Sequence, residues 1–382
     1  MVIHHAPEVF KIYVRLYILS SILFPHFVFP DFYMILGVEN PLLDITVNVY
    51  DKILSKYQLE ANAAILAGPE HLPLLAEIKT FPDAFYSAGG ATQNAMRTAQ
   101  WIMGGNKVQS KVTYMGCVGD DDNMQKMKES VEVRSGVKAV YQIDHSHPTG
   151  TCGVLVSGHG KYRSLVANLG AANHFQKSHL ENHKSDVLDK ASLIYSSGFF
   201  ITAATDSLDY LCKYISESSK KPIFAFNLAA PFICQVEPFR LVLMRTITHV
   251  DYLFGNDAEA KALAEALEWT EIANNVSEIA RKISNLEKSN GRKRVVIITQ
   301  GAEPTVVATQ GESEVDLVSI IPVPEEEIVD SNGCGDAYAG AFIAGLLLGK
   351  PLKTCCAAGA YAGNVVIKRS GVTLPESSSF EW

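Results

Sequence analysis

From Met34 onward the chain alternates between short, almost unbroken apolar runs and longer amphipathic stretches. The apolar runs cover 34–38, 112–118, 192–197, 222–228, 251–255, 295–299 and 304–309. Runs this short and this uniformly hydrophobic are what strands buried on both faces require. Helical spacing marks 91–103, 207–219, 257–268 and 276–288. Strand and helix in alternation predict a doubly wound, mainly parallel sheet flanked by helices. A second pattern interrupts the first. Residues 45–49 alternate like a strand, and two β-like runs within 149–170 flank Ser157-Gly158-His159-Gly160, a hairpin signal. These segments predict a small antiparallel β lid, formed near 42–65 and 140–170, within a single domain spanning 34–382.

Polar residues follow the predicted strands: Asn40 and Asp44 after the first, Gly119 and Asp120 after the second, and Gly198-Phe199 after the third. Asn256 and Glu259 follow 251–255, and Thr299-Gln300-Gly301 follows 295–299. Open α/β sheets bind ligands beyond the carboxyl ends of their strands, so these residues are candidates to share one crevice. Each taken alone reads as an ordinary turn or helix cap; their collective position is what points to a crevice.

Composition narrows the function classes. With 33 basic and 41 acidic residues the net charge is −8, which argues against a general nucleic-acid or anionic-membrane binder. The seven cysteines show no framework spacing and read as free thiols of a reducing compartment; the expected location is the cytoplasm, with the nucleus as a second one. Asn275-Val276-Ser277 matches a glycosylation triplet of the kind that arises by chance. The apolar run Leu16–Pro30 is shorter than the roughly 20 residues needed to span a bilayer, and Pro25 interrupts it. Residues 1–33 are therefore expected to be an extension outside the fold rather than an anchor or signal peptide.

The chemistry concentrates in Asp330-Ser331-Asn332-Gly333-Cys334-Gly335-Asp336. It precedes a helical run, 337–348, ended by Gly349 and Pro351. Glycines at a helix N-terminus let backbone amides turn toward an anion, and the helix dipole favours negative charge there. A Gly-rich turn with Asp336 complementing the dipole satisfies the same residues.

The heptapeptide resembles the Asp-Thr-x-Gly-Ala-Gly-Asp signature of the ribokinase-like (PfkB) carbohydrate and nucleoside kinases. The likeness extends to about 35–375 through GVENPLLDI, AGGATQNAMRTAQW, PTGTCGVLV, RSLVANLGAAN, SGFFIT, FGNDAEA and TQG, and is closest to the adenosine-phosphorylating branch. The resemblance implies transfer of the γ-phosphate of ATP to the 5′-hydroxyl of adenosine, in purine salvage, by a monomer using Mg2+ with ATP. It implies Asp336 as base, kept ionised by the helix N-terminus, an anion hole from Gly333, Cys334 and Gly335, and Arg163 reaching the phosphates from the lid. Asp44 would accept both ribose hydroxyls, assisted by Asn40, Asn94 and the Gly90 backbone. Leu42, Cys152, Leu165, Ala167 and Phe199 would enclose the purine, Phe199 stacking on it. Asn256, Thr299 and Gly301 would line ATP, with Ala358 to Asn364 bordering its adenine, and Glu259 would act on Mg2+ through water. Departures from the pattern are Ser331 for Thr, Cys334 for Ala, Tyr338 for Phe and Ala91 for Ser. Cys334 sets a thiol near the phosphates, which leaves rate and sensitivity to oxidation as open questions.

Overall fold

The computed structural model describes residues 34–61, 63–158 and 162–382; the N-terminal extension expected over 1–33 lies outside the described residues. Its strands in chain order are β1 (Ile35–Val38), β2 (Leu42–Asn48), β3 (Ala64–Leu66), β4 (Phe85–Gly89), β5 (Val112–Gly119), β6 (Lys138–Asp144) and β7 (Thr151–Ser157). There follow β8 (Tyr162–Asn168), β9 (Leu193–Ser197), β10 (Ile223–Asn227), β11 (Tyr252–Asn256), β12 (Val295–Gln300), β13 (Glu303–Thr309) and β14 (Asp316–Val318). The longer helices are α1 (Ala91–Ile102), α2 (Thr205–Glu217), α3 (Glu237–Ile247), α4 (Asp257–Ala266), α5 (Val276–Ser284), α6 (Cys334–Leu347) and α7 (Leu352–Ile367).

Nine strands form the large sheet, in the order β14-β13-β12-β11-β10-β9-β1-β5-β6. Pairing is parallel from β12 through β6, while β13 and β14 add an antiparallel edge. Side chains alternate between its faces as strand geometry demands. Leu36 and Val38 of β1 enter a core shared with α2, α3, α4 and α5. Gly37, between them, faces α1 so closely that an added Cβ would lie 2.4 Å from Met96 Cγ. On that second face α1 and α6 also meet at backbone distance, because a Cβ on Gly340 would fall 2.2 Å from the Ala95 carbonyl oxygen. This close approach brings the first turns of α1 and α6 together.

The second sheet has the order β3-β8-β7-β2-β4. It is mixed rather than purely antiparallel: β7–β8 and β2–β4 run antiparallel, β2–β7 and β3–β8 parallel. It takes in β4, which lies outside the segments expected for the lid, whereas β6 pairs with β5 at the edge of the large sheet. The hairpin signalled at Ser157 to Gly160 joins β7 to β8, with residues 159–161 outside the described ones. Asn275 serves as N-cap of α5, its side-chain oxygen accepting from the Glu278 amide at 3.1 Å. Among the described residues no helix is long and apolar enough to cross a membrane.

Candidate active site

A cleft of about 890 Å³ opens above the carboxyl ends of the large sheet and beneath the second one. Every residue given an individual catalytic, substrate, ATP or metal role from the sequence lines it except Arg163, whereas Gly198, Gln300 and Ala358, named by position alone, do not. Gly119 and Asp120, after β5, stay outside: the Gly119 amide donates to Thr149 Oγ1 at 3.0 Å, and exposed Asp120 faces His145 at 3.2 Å.

Asp336 sits in the first turn of α6, whose N-cap, Gly333, adopts a left-handed φ of +75°. A Cβ there would also strike Val372 Cγ2 at 2.2 Å, so glycine is required on both grounds. Around Gly335 the space is open, with nothing within 4 Å of where a Cβ would project. The amides that begin a helix have no partner within it; the Cys334 amide leans weakly on the Ser331 carbonyl at 3.4 Å. The arrangement is thus a coil-to-helix junction with donors beside vacant volume.

Asn94, on α1, donates from Nδ2 to Asp336 Oδ2 at 3.1 Å. Its own orientation is fixed one turn on, where buried Arg97 donates from Nη1 to Asn94 Oδ1 at 3.4 Å and to the Ala88 carbonyl at 2.9 Å. Arg97 carries no motif signal in the sequence; its i, i+3 spacing from Asn94 is the one clue.

Four carboxyl groups share the cleft. Burial pushes Asp336 up to about 8; the Asn94 hydrogen bond opposes the rise, and the carboxylates of Glu39, Asp44 and Glu259 add to it. The helix terminus is thus expected to leave Asp336 only partly ionised near neutrality, because dehydration and like charge oppose the dipole. Asp44 rises to about 7 through burial, held back by Arg97. Glu39 and Glu259 also reach about 7, each chiefly through burial. Glu39 escaped the sequence reading. It accepts from the Thr92 amide at 2.7 Å and from the Ser197 hydroxyl, and so ties the N-terminus of α1 to the end of β9.

Asp44 lies on β2 opposite Ser87 and beside Cys152 of β7. Gly90 precedes α1 at φ +89°, where a Cβ would meet the Asn40 carbonyl at 2.6 Å. Asn40 donates from Nδ2 to the Phe199 carbonyl at 2.9 Å, and its buried Oδ1 has no hydrogen-bond partner among the described residues. The apolar wall is one cluster containing Leu42 and Cys152, with Leu165 and Ala167 packed on it. Sheet pairing creates that cluster, aligning Cys152 with Ala167 and Ala167 with Leu66. Phe199 stands across the cleft, its ring centroid 6.3 Å from that of Phe232.

At the opposite end of the cleft, parallel pairing aligns Asn256 with Thr299. Asn256 and Glu259 close a capping box on α4: Asn256 Oδ1 accepts from the Glu259 amide at 2.9 Å, and Glu259 accepts from the Asn256 amide at 3.0 Å. Asn256 Nδ2 donates to the second Glu259 oxygen at 2.8 Å. The motif is a helix cap and a cleft wall at once. Gly301 turns at φ +60°. Ala360, Gly363 and Asn364 of α7 border this end, as does the 320–323 segment, which the sequence did not signal.

In this structure Arg163 is engaged elsewhere than at the amides of the loop, and the thiol of Cys334 is largely buried. Arg163 meets the loop at its start and not at its amides: its Nε pairs with Asp330 Oδ1 at 2.5 Å and Nη2 donates to the Val329 carbonyl at 3.1 Å. Asp330 is fully enclosed and also accepts from the Asn332 and Gly371 amides at 2.9 and 2.6 Å, so burial gives it first claim on the nearest guanidinium. Cys334 is not activated either. Burial, with Asp330 and Asp336 nearby, pushes its thiol up to about 12, leaving little thiolate to oxidise.

The profile of the pfkB family carbohydrate kinases matches residues 60–378. Adenosine kinase 2 of Arabidopsis thaliana is 42% identical over 349 residues, covering 91% of this chain and 97% of that protein. The adenosine kinase of Dictyostelium discoideum is 38% identical over 345 residues, covering 90% and 97%. The crystal structure of Anopheles gambiae adenosine kinase in complex with P1,P4-di(adenosine-5) tetraphosphate superposes with a TM-score of 0.83 at 38% identity, covering 91% of this chain and 99% of that one. By profile, relatives and fold alike, the chain belongs to the pfkB family of carbohydrate kinases, among its adenosine kinases.

Proposed function

We propose that this protein transfers the γ-phosphoryl group of ATP to the 5′-hydroxyl of adenosine, giving AMP and ADP, by direct in-line transfer. The observation that carries the reading is the Asn94–Asp336 contact at 3.1 Å beside the glycine-lined start of α6. It sets a proton acceptor next to anion donors. Phosphoryl transfer passes through a loose transition state, so the nucleophile needs orientation and a late proton acceptor. Asn94 holds one Asp336 oxygen, leaving the other to accept the hydroxyl proton. A carboxyl group at about 8 is a stronger base than an ordinary aspartate and is still partly ionised near neutrality. The α6 amides supply donors where charge develops.

Adenosine would lie under the second sheet, its ribose diol on Asp44 and its base against the Leu42–Cys152 cluster and Phe199. ATP would lie toward Asn256, Thr299 and α7. The donor set there suits Mg2+ held through water: both Glu259 oxygens are engaged in capping α4, and magnesium keeps several of its waters. Bound there, Mg2+ neutralises phosphate charge. Arg163 would serve by fixing Asp330, and with it the loop before α6, rather than by touching phosphate. The test is phosphorylation of adenosine, ribose and fructose by purified protein with Mg-ATP. AMP formation with adenosine preferred is expected; preference for a free sugar would reassign the substrate.

A further inference from the structure

Away from the cleft, at the end of β6, one carboxylate and two imidazoles converge from separate parts of the chain. The ligand atoms of Asp144, His147 and His174 all lie within 4.8 Å of one another. We propose that Asp144, His147 and His174 form a binding site for a divalent transition-metal ion of borderline softness, of which Zn2+ is the representative.

Three observations support this. The set is chemically selective: two imidazoles and a carboxylate suit Zn2+, Co2+ or Ni2+, whereas Mg2+ seeks oxygen ligands. The site is thus distinct from the oxygen-lined cleft. The trio is also assembled in advance. His147 Nδ1 lies 2.8 Å from Asp144 Oδ2, and the rings of His147 and His174 stack at 3.8 Å with an 11° interplanar angle. A cation about 2 Å from each ligand atom would take the place of the proton between His147 and Asp144, with the His174 ring turning out of the stack to complete the set.

Outer contacts hold the ligands in turn. Asp144 Oδ1 accepts from the Ser146 amide at 2.7 Å. Gln142 donates from Nε2 to the His174 carbonyl at 2.7 Å and accepts from the Gln176 amide at 2.8 Å. The Ala171 amide donates to the Pro148 carbonyl at 2.8 Å, binding the two segments together. The Ser146 bond orients the carboxylate itself, and the others fix the backbone that carries the two imidazoles. Its location has a consequence: His147 lies just before β7 and His174 just after β8, so an ion here joins the two chain segments that enter and leave the second sheet.

The test is titration of the full chain, in buffer containing Mg-ATP, with Zn2+ by calorimetry and with Co2+ by visible absorption. One ion per chain with the d–d bands of nitrogen–oxygen coordination is expected. His147→Ala and His174→Ala should each weaken binding tenfold or more, and Asp144→Asn likewise through loss of the anionic ligand. If His174→Ala fails to fold, Asp144→Asn, which keeps the shape of the side chain, decides. Absence of saturable binding overturns the proposal, as does affinity unchanged in these variants.

Discussion

Asp44 occupies the place where a side chain on Gly89 would begin: a Cβ built on Gly89 falls 2.0 Å from Asp44 Oδ1. The two residues lie on paired strands, with Leu42 opposite Gly89 and Asp44 opposite Ser87. The missing side chain at position 89 is what allows the Asp44 carboxylate to turn into the cleft. Gly89→Ala should therefore act as a displacement of Asp44. A charge-assisted hydrogen bond contributes about 1.5–3 kcal/mol, so kcat/KM for adenosine should fall roughly 10- to 100-fold, mostly through KM, with the KM for ATP little changed. Steady-state kinetics with each substrate varied in turn checks this; equal effects on both would mean that the whole cleft had shifted.

Asp336→Asn keeps the shape of the residue and removes the proton acceptor. General base catalysis accounts for about 10²–10⁴-fold in rate, and turnover should drop by that order. Adenosine binding, which rests on Asp44 and the apolar wall, should persist in calorimetry. Turnover equal to the parent would remove Asp336 from the reaction.

Much of this was legible in the residues. Continuous apolar runs identified the central strands because burial on both faces leaves no polar alternation to confuse them. The glycines around 333 pointed to a backbone site because so few positions demand positive φ. Other parts carry weak local signals. Strand β3 has only three residues, and α7, rich in small residues, packs against α6 without a polar face to betray its period. Arg163 was misplaced because sequence shows that a cation is near the loop but not which anion will claim it. Glu39 was missed because a lone carboxylate after a strand has no motif, and its meaning lies in Thr92 and Ser197, residues distant in sequence.

Arg163→Ala separates two roles for this side chain. A guanidinium reserved for phosphate would be dispensable to the ligand-free fold. The observed pair with enclosed Asp330 predicts the opposite. Breaking a buried pair leaves a charge without compensation and costs about 3–5 kcal/mol, reduced here by the two amides that Asp330 retains. The ligand-free melting temperature should fall by several degrees, and Arg163→Lys, lacking the planar fork, should restore only part of it. A melt identical to that of the parent would return Arg163 to the phosphates.

Glu39 provides a handle on the base. Its carboxylate is among the charges that raise Asp336. Because the base must be deprotonated to act, kcat/KM should rise with pH through about 8 on its acid side, the limb that reports the free enzyme. Glu39→Gln removes that charge while keeping a side chain able to accept from the Thr92 amide. The limb should move to lower pH, with catalysis near neutrality equal or improved. A limb that stays in place would show that Glu39 acts on structure alone.

The same four carboxyls predict how the ligand-free protein responds to pH. Glu39, Asp44 and Glu259 sit at about 7 and Asp336 at about 8 when folded, against about 4 in an unfolded chain. The folded state thus holds protons that the unfolded state has already released. The stability they confer is complete below the unfolded values and is lost as pH rises through the folded ones. Between pH 7 and 8.5 the melting temperature should fall at constant ionic strength. Asp336→Asn, which cannot titrate, should show a shallower decline than the parent over that interval. If the parent instead gains stability from pH 7 to 8.5, the carboxyls of the cleft ionise in the ordinary acidic range, and the assignment of Asp336 as an unusually basic aspartate loses its physical ground.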